Sequence, residues 1–208
     1  MIHQSVEAFL NSLAGSSATP GGGSVAALNG AMGAALVSMV CNLTIGKKKY
    51  AAVEAEAGDI LRRSEALRRK LSGMIAADSA AFDGVMAAFG LPRQTEAEKA
   101  RRAAAIESAF KKATVIPLET ARACADVIAL GKAIAPIGNA NALSDAGAGA
   151  LAAQAGLKGA ALNVLINLGS IKDTAFVAKA ETDLTAILTQ YPPLADEVFE
   201  LVKASVQR

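Results

Sequence analysis

The chain has 208 residues, enough for one substantial hydrophobic core and short for two, so a single domain over 1–208 is expected. A net charge of +2 gives no footing for a nucleic-acid partner. With 52% hydrophobic and only 19% charged residues there is too little polar surface to cover a monomer, which predicts an oligomer.

Residues 5–14 read as a short amphipathic helix with Val6, Phe9, Leu10 and Leu13 on one side, ended by a Gly-Ser-Ser loop. The next stretch, residues 19–50, organises the rest of the chain. Pro20 suits a first helical position, and Gly21, Gly22, Gly23 and Ser24 make an entrance at which backbone N–H groups are open to an anion. An uncharged run follows, with large residues (Val25, Leu28, Met32, Leu36, Met39, Leu43) along one stripe and small ones (Ala26, Gly30, Gly33, Ala34) with Val37 on the other. That pattern predicts a helix enclosed by protein on all sides, its glycines permitting close backbone approach. Gly46 reads as the helix stop, with Lys47, Lys48 and Lys49 complementing the negative helix end. The run is long enough to span a membrane, but Asn29, Ser38, Asn42 and Thr44 interrupt it and no basic segment precedes it, so no membrane partner is expected.

Residues 51–90 predict one long helix whose stripe is Leu67, Leu71, Ile75, Asp78, Phe82, Val85 and Phe89. Asp78 is a carboxylate at a position where the period demands a core residue. Arg62, Arg63, Arg68, Arg69 and Lys70 alternate with Asp59 and Glu65 at helical spacing, which reads as a solvated, salt-bridged face. Thr95 and Glu98 form a capping box for a helix running to about residue 130, kinked by Pro117. Residues 131–138 break the pattern, and GNANALSD (138–145) opens a second Ala/Gly-rich helix with a break near Gly156. Residues 172–190 and 193–206 form two further helices separated by Tyr191-Pro192-Pro193. No strand alternation occurs, so the expected fold is all-α: an antiparallel bundle of long helices around a buried Ala/Gly-rich helix, homodimeric.

The chemistry available is narrow. His3 is the one histidine, which removes His-based triads and most metal sites, and no metal is expected. Cys41 and Cys124, in apolar helical contexts, read as buried thiols of a reduced, cytoplasmic protein. The two GxGxxA matches at Gly21 and Gly147 follow no strand and are not dinucleotide sites. What remains is Asp78, either an acid/base carboxylate or a paired structural one; Lys47 to Lys49 with Tyr50, either an anion site or capping; Asn139, Asn141 and Asp145 at a helix entrance; and Asn163 and Asn167, one turn apart inside an apolar helix and in need of partners.

TPGGGSVAALNGAMGAALVSMVCNLTIGKKKY, the DSAAFD to AAFGLP segment and GNANALSDAGAGA to GLKGAALNVLINLGSIKD together resemble the cyclodeaminase/cyclohydrolase family. This is the family of the C-terminal domain of formiminotransferase-cyclodeaminase and of stand-alone methenyltetrahydrofolate cyclohydrolases. The resemblance implies an all-helical homodimer acting on a folate, with no cofactor beyond the tetrahydrofolate substrate. It implies hydrolysis of 5,10-methenyltetrahydrofolate to 10-formyltetrahydrofolate, with formimidoyltetrahydrofolate cyclodeamination as the alternative and a non-catalytic folate-binding dimer as a reading of another class. The bridging carbon of the methenyl substrate is already electrophilic, so an acid and a base suffice. On this reading Asp78 or Asp145 deprotonates water and Lys49 or Tyr50 stabilises the adduct and delivers the proton. Asn139, Asn141 and a carboxylate read the pterin edge, and the glycine-rich helix start, Gly21 to Ser24, or the lysines from Lys47 take the glutamate tail.

Overall fold

The computed structural model describes residues 4–206; His3 lies outside them. Among the described residues there are six α-helices and no strand: α1 (Val6–Leu13), α2 (Gly22–Thr44), α3 (Glu54–Phe89), α4 (Glu96–Ile134), α5 (Leu143–Leu168) and α6 (Thr174–Val206), with 3₁₀ turns at Lys48–Val53 and Ala140–Ala142. Helices α2 to α6 form the bundle, and the residue pairs across it fix its directions. Ser24 meets Asp78 and Ser38 meets Ser64, so α2 and α3 are antiparallel. Gly33 meets Gly149 and Ala26 meets Gly156, so α2 and α5 are too. Both α4 and α6 run against α5, and are therefore parallel to each other. Lys111, Arg122 and Lys132 of α4 pair in that order with Asp173, Asp183 and Glu197.

Small residues set the α2–α5 spacing. A Cβ built on Gly33 would stand 2.6 Å from the Gly149 carbonyl oxygen, and one on Gly156 would stand 2.7 Å from the Ala26 carbonyl oxygen. Gly30 likewise lies under the Cys124 thiol of α4. Ala, Val and Leu side chains of α2, α4 and α5 fill the space around these contacts, with Val37, Val127, Ile128, Leu157 and Val164 wholly buried. The two thiols sit inside this core, where burial pushes Cys41 up to about 11 and Cys124 to about 12, leaving both protonated and inert.

The local signals at most helix ends hold. Gly46 stops α2 with a positive φ of 73°, and Thr95 with Glu98 makes the capping box of α4. Several expectations are corrected. Pro20 lies before α2 rather than in its first turn, and Gly21 is the N-cap. The helix is not enclosed on all sides: its small face is buried, while Met32, Met39 and Leu43 of its large stripe are 38–45% exposed. In α1 only Phe9 is buried, and Val6 and Leu10 face outward. Helix α5 runs unbroken through Gly156, because that glycine serves a helix crossing rather than a break. Helix α6 continues through Pro192 and Pro193. Helix α4 runs through Pro117 to Ile134, and a side chain compensates the proline: the carbonyl of Ala113, left without its i+4 N–H donor, accepts from Asn167 Nδ2 at 2.9 Å. By length and composition α2 and residues Ala140–Leu168 are apolar enough to cross a membrane, with 61% and 50% of their apolar windows buried inside this fold.

Two glycine substitutions of opposite sign test this packing. Gly33→Ala pushes a methyl into a backbone carbonyl that cannot move alone, and is expected to lower the free energy of unfolding by about 1–3 kcal/mol in urea melts. Gly73→Ala, on the outer face of α3 with nothing within 4 Å of the added methyl, is expected to raise it by about 0.4–1 kcal/mol.

Candidate functional site

The alternation of helix directions gathers the start of α2, the second half of α3, the first half of α4 and the end of α5 at one end of the bundle. A cavity of about 420 Å³ opens there. Gly21, Gly22, Gly23 and Asp78 form one wall, Phe82, Phe89 and Phe110 another, and Asn163 lies between. Three of the six phenylalanines in the chain therefore meet at one cavity. Phe89 and Phe110 stand edge to face with ring centroids 6.1 Å apart.

Asp78 is fitted to the glycine entrance of α2. A Cβ on Gly23 would fall 2.0 Å from Asp78 Oδ1, so no other residue at position 23 leaves the carboxyl where it is. The Ser24 hydroxyl lies 3.1 Å from Asp78 Oδ2, 3.0 Å from the Ile75 carbonyl oxygen and 3.3 Å from Ser79 Oγ. Burial raises the Asp78 pKa above its ordinary value, and hydrogen bonds from the Ser24 hydroxyl and backbone N–H offset part of that rise. The hydrogen-bond count agrees. Ser24 has one proton and faces two acceptors, Ile75 O and Asp78 Oδ2. A protonated Asp78 removes the competition by donating to Ser24 Oγ while Ser24 donates to Ile75 O. The site thus holds a half-buried carboxyl with a raised pKa beside an apolar slot.

The other residues singled out from sequence collect elsewhere. The Lys47 to Tyr50 segment and the 139–145 segment meet at the opposite end of the bundle, one α2 length away, about 34 Å for 23 residues at 1.5 Å rise. There the Ala140 N–H donates to Tyr50 Oη at 3.0 Å, Asn139 Nδ2 donates to the Leu43 carbonyl and Lys49 Nζ sits 5.3 Å from the Tyr50 ring centroid. The Ala140 N–H, and secondarily Lys49, hold the Tyr50 phenol below its ordinary pKa. Asn139 is a cap: its side-chain oxygen accepts from the Asn141 N–H. Asp145 is half-buried in the first turn of α5.

The asparagine pair divides. Asn167 is the structural partner of the Pro117 break, whereas Asn163 donates to Gly159 O of its own helix and lines the cavity 3.6 Å from the position of a Cβ on Gly22. Periodicity assigns Phe82 and Phe89 to a buried stripe, and the structure places them with Phe110 at the cavity. Their signal was present, since Phe82 and Phe89 stand four and eleven residues after Asp78 on its own stripe. Among the described residues no cluster of His, Cys, Asp and Glu is suited to a metal ion.

The raised carboxyl makes a signed prediction. Asp78 binds its proton more tightly folded than unfolded, so its contribution to stability is lost as pH rises from the ordinary value of 3.8 towards the raised one. Relative to wild type, Asp78→Asn should gain stability in denaturant melts as pH rises above about 4, and the gain should level off once Asp78 is ionised in the folded protein.

The formiminotransferase-cyclodeaminase family description matches residues 5–186. The chain is 52% identical to the methenyltetrahydrofolate cyclohydrolase of Methylorubrum extorquens, over 98% of both proteins. It is 34% identical to the formimidoyltransferase-cyclodeaminase of Sus scrofa over 98% of its own length, spanning 38% of that longer protein. The crystal structure of formiminotetrahydrofolate cyclodeaminase from Thermotoga maritima superposes with a TM-score of 0.88 at 31% identity, covering 98% of each chain. With a family match over most of its length and relatives at this identity, the chain belongs to the formiminotransferase-cyclodeaminase family.

Proposed function

We propose that the cavity at the start of α2 binds a tetrahydrofolate and that Asp78 moves protons to and from the one-carbon bridge between N5 and N10. The observation that carries this is the buried carboxyl of Asp78, held against Gly23 at the edge of an aromatic slot, in a chain whose family and relatives work on methenyl- and formimino-tetrahydrofolates. The enzyme takes part in methenyl- and formimino-tetrahydrofolate interconversion.

Two reactions share this geometry, because both pass through a tetrahedral carbon bonded to N5 and N10. In cyclodeamination N10 attacks the formimino carbon, a base takes the N10 proton and ammonia leaves from the same carbon. In hydrolysis water attacks the methenyl carbon, a base takes its proton and the C–N5 bond opens as N5 is protonated. The family description, the superposable Thermotoga maritima structure and the animal relatives carry the cyclodeaminase name, and as a set they favour the first reaction. The 52% match over the full length of a cyclohydrolase favours the second. Purified protein offered each substrate, with protein-free controls and with methenyl absorbance and ammonia both followed, separates them. Ammonia release from formimidoyltetrahydrofolate marks the deaminase, and methenyl loss above background marks the hydrolase. Neither change overturns the proposal and leaves a folate-binding dimer.

The exposed stripe of α2 supports a homodimer. Met32, Met39 and Leu43 on α2, and Leu151, Leu162, Leu165 and Ile166 on α5, form an apolar face that this chain leaves uncovered. In an isologous dimer built on that stripe, a two-fold axis across α2 lays the helix antiparallel to its copy, so the Gly22 end of one meets the Thr44 end of the other. The lysine and tyrosine end of one subunit would then complete the Asp78 site of its partner, which removes the conflict of two polar ends one helix length apart.

Asp78→Asn and Lys49→Met are each expected to lower kcat by on the order of 10²-fold or more in a folded protein. If sites are shared, co-expressing the two variants restores one intact site per mixed dimer, about a quarter of wild-type activity on statistical assortment. Absence of restoration in verified mixed dimers places both groups in separate roles within one subunit.

A further inference from the structure

Helices α2 and α3 meet at two buried serine pairs, each with a carboxyl group beside it. At one level the Ser38 and Ser64 hydroxyls stand 2.8 Å apart and Ser64 donates to the Leu61 carbonyl. Arg68, 2.7 Å from the neighbouring Glu65, holds that carboxylate below its ordinary pKa, with a smaller contribution from Ser38. At the other level Ser24 lies 3.3 Å from Ser79 and 3.1 Å from Asp78 Oδ2, and both serines are buried. No cation joins this second group. The elements packed around the cavity face it with Thr19 ahead of α2, Phe110 on α4 and Asn163 on α5, and among the described residues lining it Asp78 alone is charged. No charged group is among the causes of its raised pKa.

The difference is chemical. A guanidinium only donates, so it favours the ionised carboxylate and fixes Glu65 in one state. A hydroxyl donates and accepts, so it holds a carboxyl in either state. For ionised Asp78, Ser79 donates to Ser24 and Ser24 donates to Oδ2. For protonated Asp78 the chain turns round: Oδ2–H donates to Ser24, and Ser24 donates to the Ile75 carbonyl 3.0 Å away. That carbonyl lies inside α3 and has the residue-79 N–H as its helical donor, so turning Ser24 away from it leaves no orphan acceptor.

We propose that Ser24 and Ser79 are positioning residues for proton transfer: their hydroxyl protons turn as Asp78 passes between carboxylate and acid, so that neither form is left unpaired and neither is locked. The inference rests on the folate reading of the cavity. When Asp78 takes the proton of attacking water or of N10, the Ser24 proton turns to Ile75 O. When N5 or ammonia leaves, its nitrogen is a stronger acceptor than a serine hydroxyl, takes the proton from Asp78, and the serines turn back. No proton leaves the serine pair. The lysine end of a second subunit, in the dimer proposed above, adds a cation common to every variant compared below.

The test applies two readouts to Ser24→Ala, Ser79→Ala and Ser38→Ala. The first is the titration of the Asp78 carboxyl by carbon NMR of aspartate-labelled protein, its signal identified by its loss in Asp78→Asn. The second is kcat/KM against pH on methenyl- and formimidoyl-tetrahydrofolate, with protein-free controls. Ser24→Ala removes a donor to the ionised form, so its carboxyl is expected to titrate at higher pH. Its kcat/KM on the acid limb should fall about tenfold and approach wild type at alkaline pH. Ser79→Ala should move both readouts the same way, by about two- to three-fold in rate. Ser38→Ala, which takes a hydroxyl from the same helix interface beside Glu65, should leave both as in wild type. An unmoved titration in Ser24→Ala, a rate lowered equally at every pH, or a shift reproduced by Ser38→Ala overturns the proposal. Should Ser24→Ala not fold, an unmoved titration in Ser79→Ala overturns it. A wild type that turns over neither substrate overturns the folate reading, while the carboxyl titration still reads the serine arrangement by itself.

Discussion

The fold depends on how closely α2 and α5 approach, and glycine sets that distance. Gly33 faces Gly149 backbone to backbone, and Gly156 rests on the Ala26 carbonyl and the Gly30 N–H. A methyl at any of these positions meets main-chain atoms, which move only with their whole helix. The pair then acts as a rigid plank against which α3, α4 and α6 lay larger side chains such as Leu71, Leu130 and Val198. A core so short of aromatics achieves density by removing side chains at the crossing rather than by filling space with rings. This also leaves the phenylalanines free for a cavity.

That rigid plank determines where Asp78 stands. Its carboxyl occupies the gap that Gly23 leaves at the first turn of α2, and it draws on the Ser24 hydroxyl and N–H for partial support. Burial with incomplete hydrogen bonding raises its pKa, and this costs stability at neutral pH. A structural aspartate would have gained a cation. None of the described salt bridges includes Asp78, and no charged group is among the causes of its shift. That cost, placed beside an aromatic slot, is the observation on which the proton-transfer role proposed for Asp78 rests.

Asn167 and Asn163 show how two residues of one type, one turn apart, take unrelated roles. Pro117 removes an N–H from α4, and Asn167 reaches across from α5 to satisfy the carbonyl left open, which lets α4 run on past the proline. Asn163, one turn earlier, satisfies its own helix with one N–H and lines the cavity. The first role stabilises the wall and the second faces what the wall encloses.

Much of this protein could be read from residue order alone. Helical periodicity, the Thr95/Glu98 box, Gly46, the small face of α2 and the misplaced carboxylate of Asp78 are all local signals, set by backbone geometry and by the cost of burying charge, which act over one or two turns. Three things were decided only by the assembled structure. The proline pair at 192–193 did not end α6, because packing along α4 and α5 outweighs a local break. The large stripe of α2 proved to be an outer face, since periodicity reports that a face is apolar but not what covers it. The grouping of Asp78 with Gly23, Ser24 and the phenylalanines, and of Tyr50 with Asn139, followed from which helices run against each other. Residues more than fifty positions apart become neighbours only through that pairing, and no window along the chain contains it.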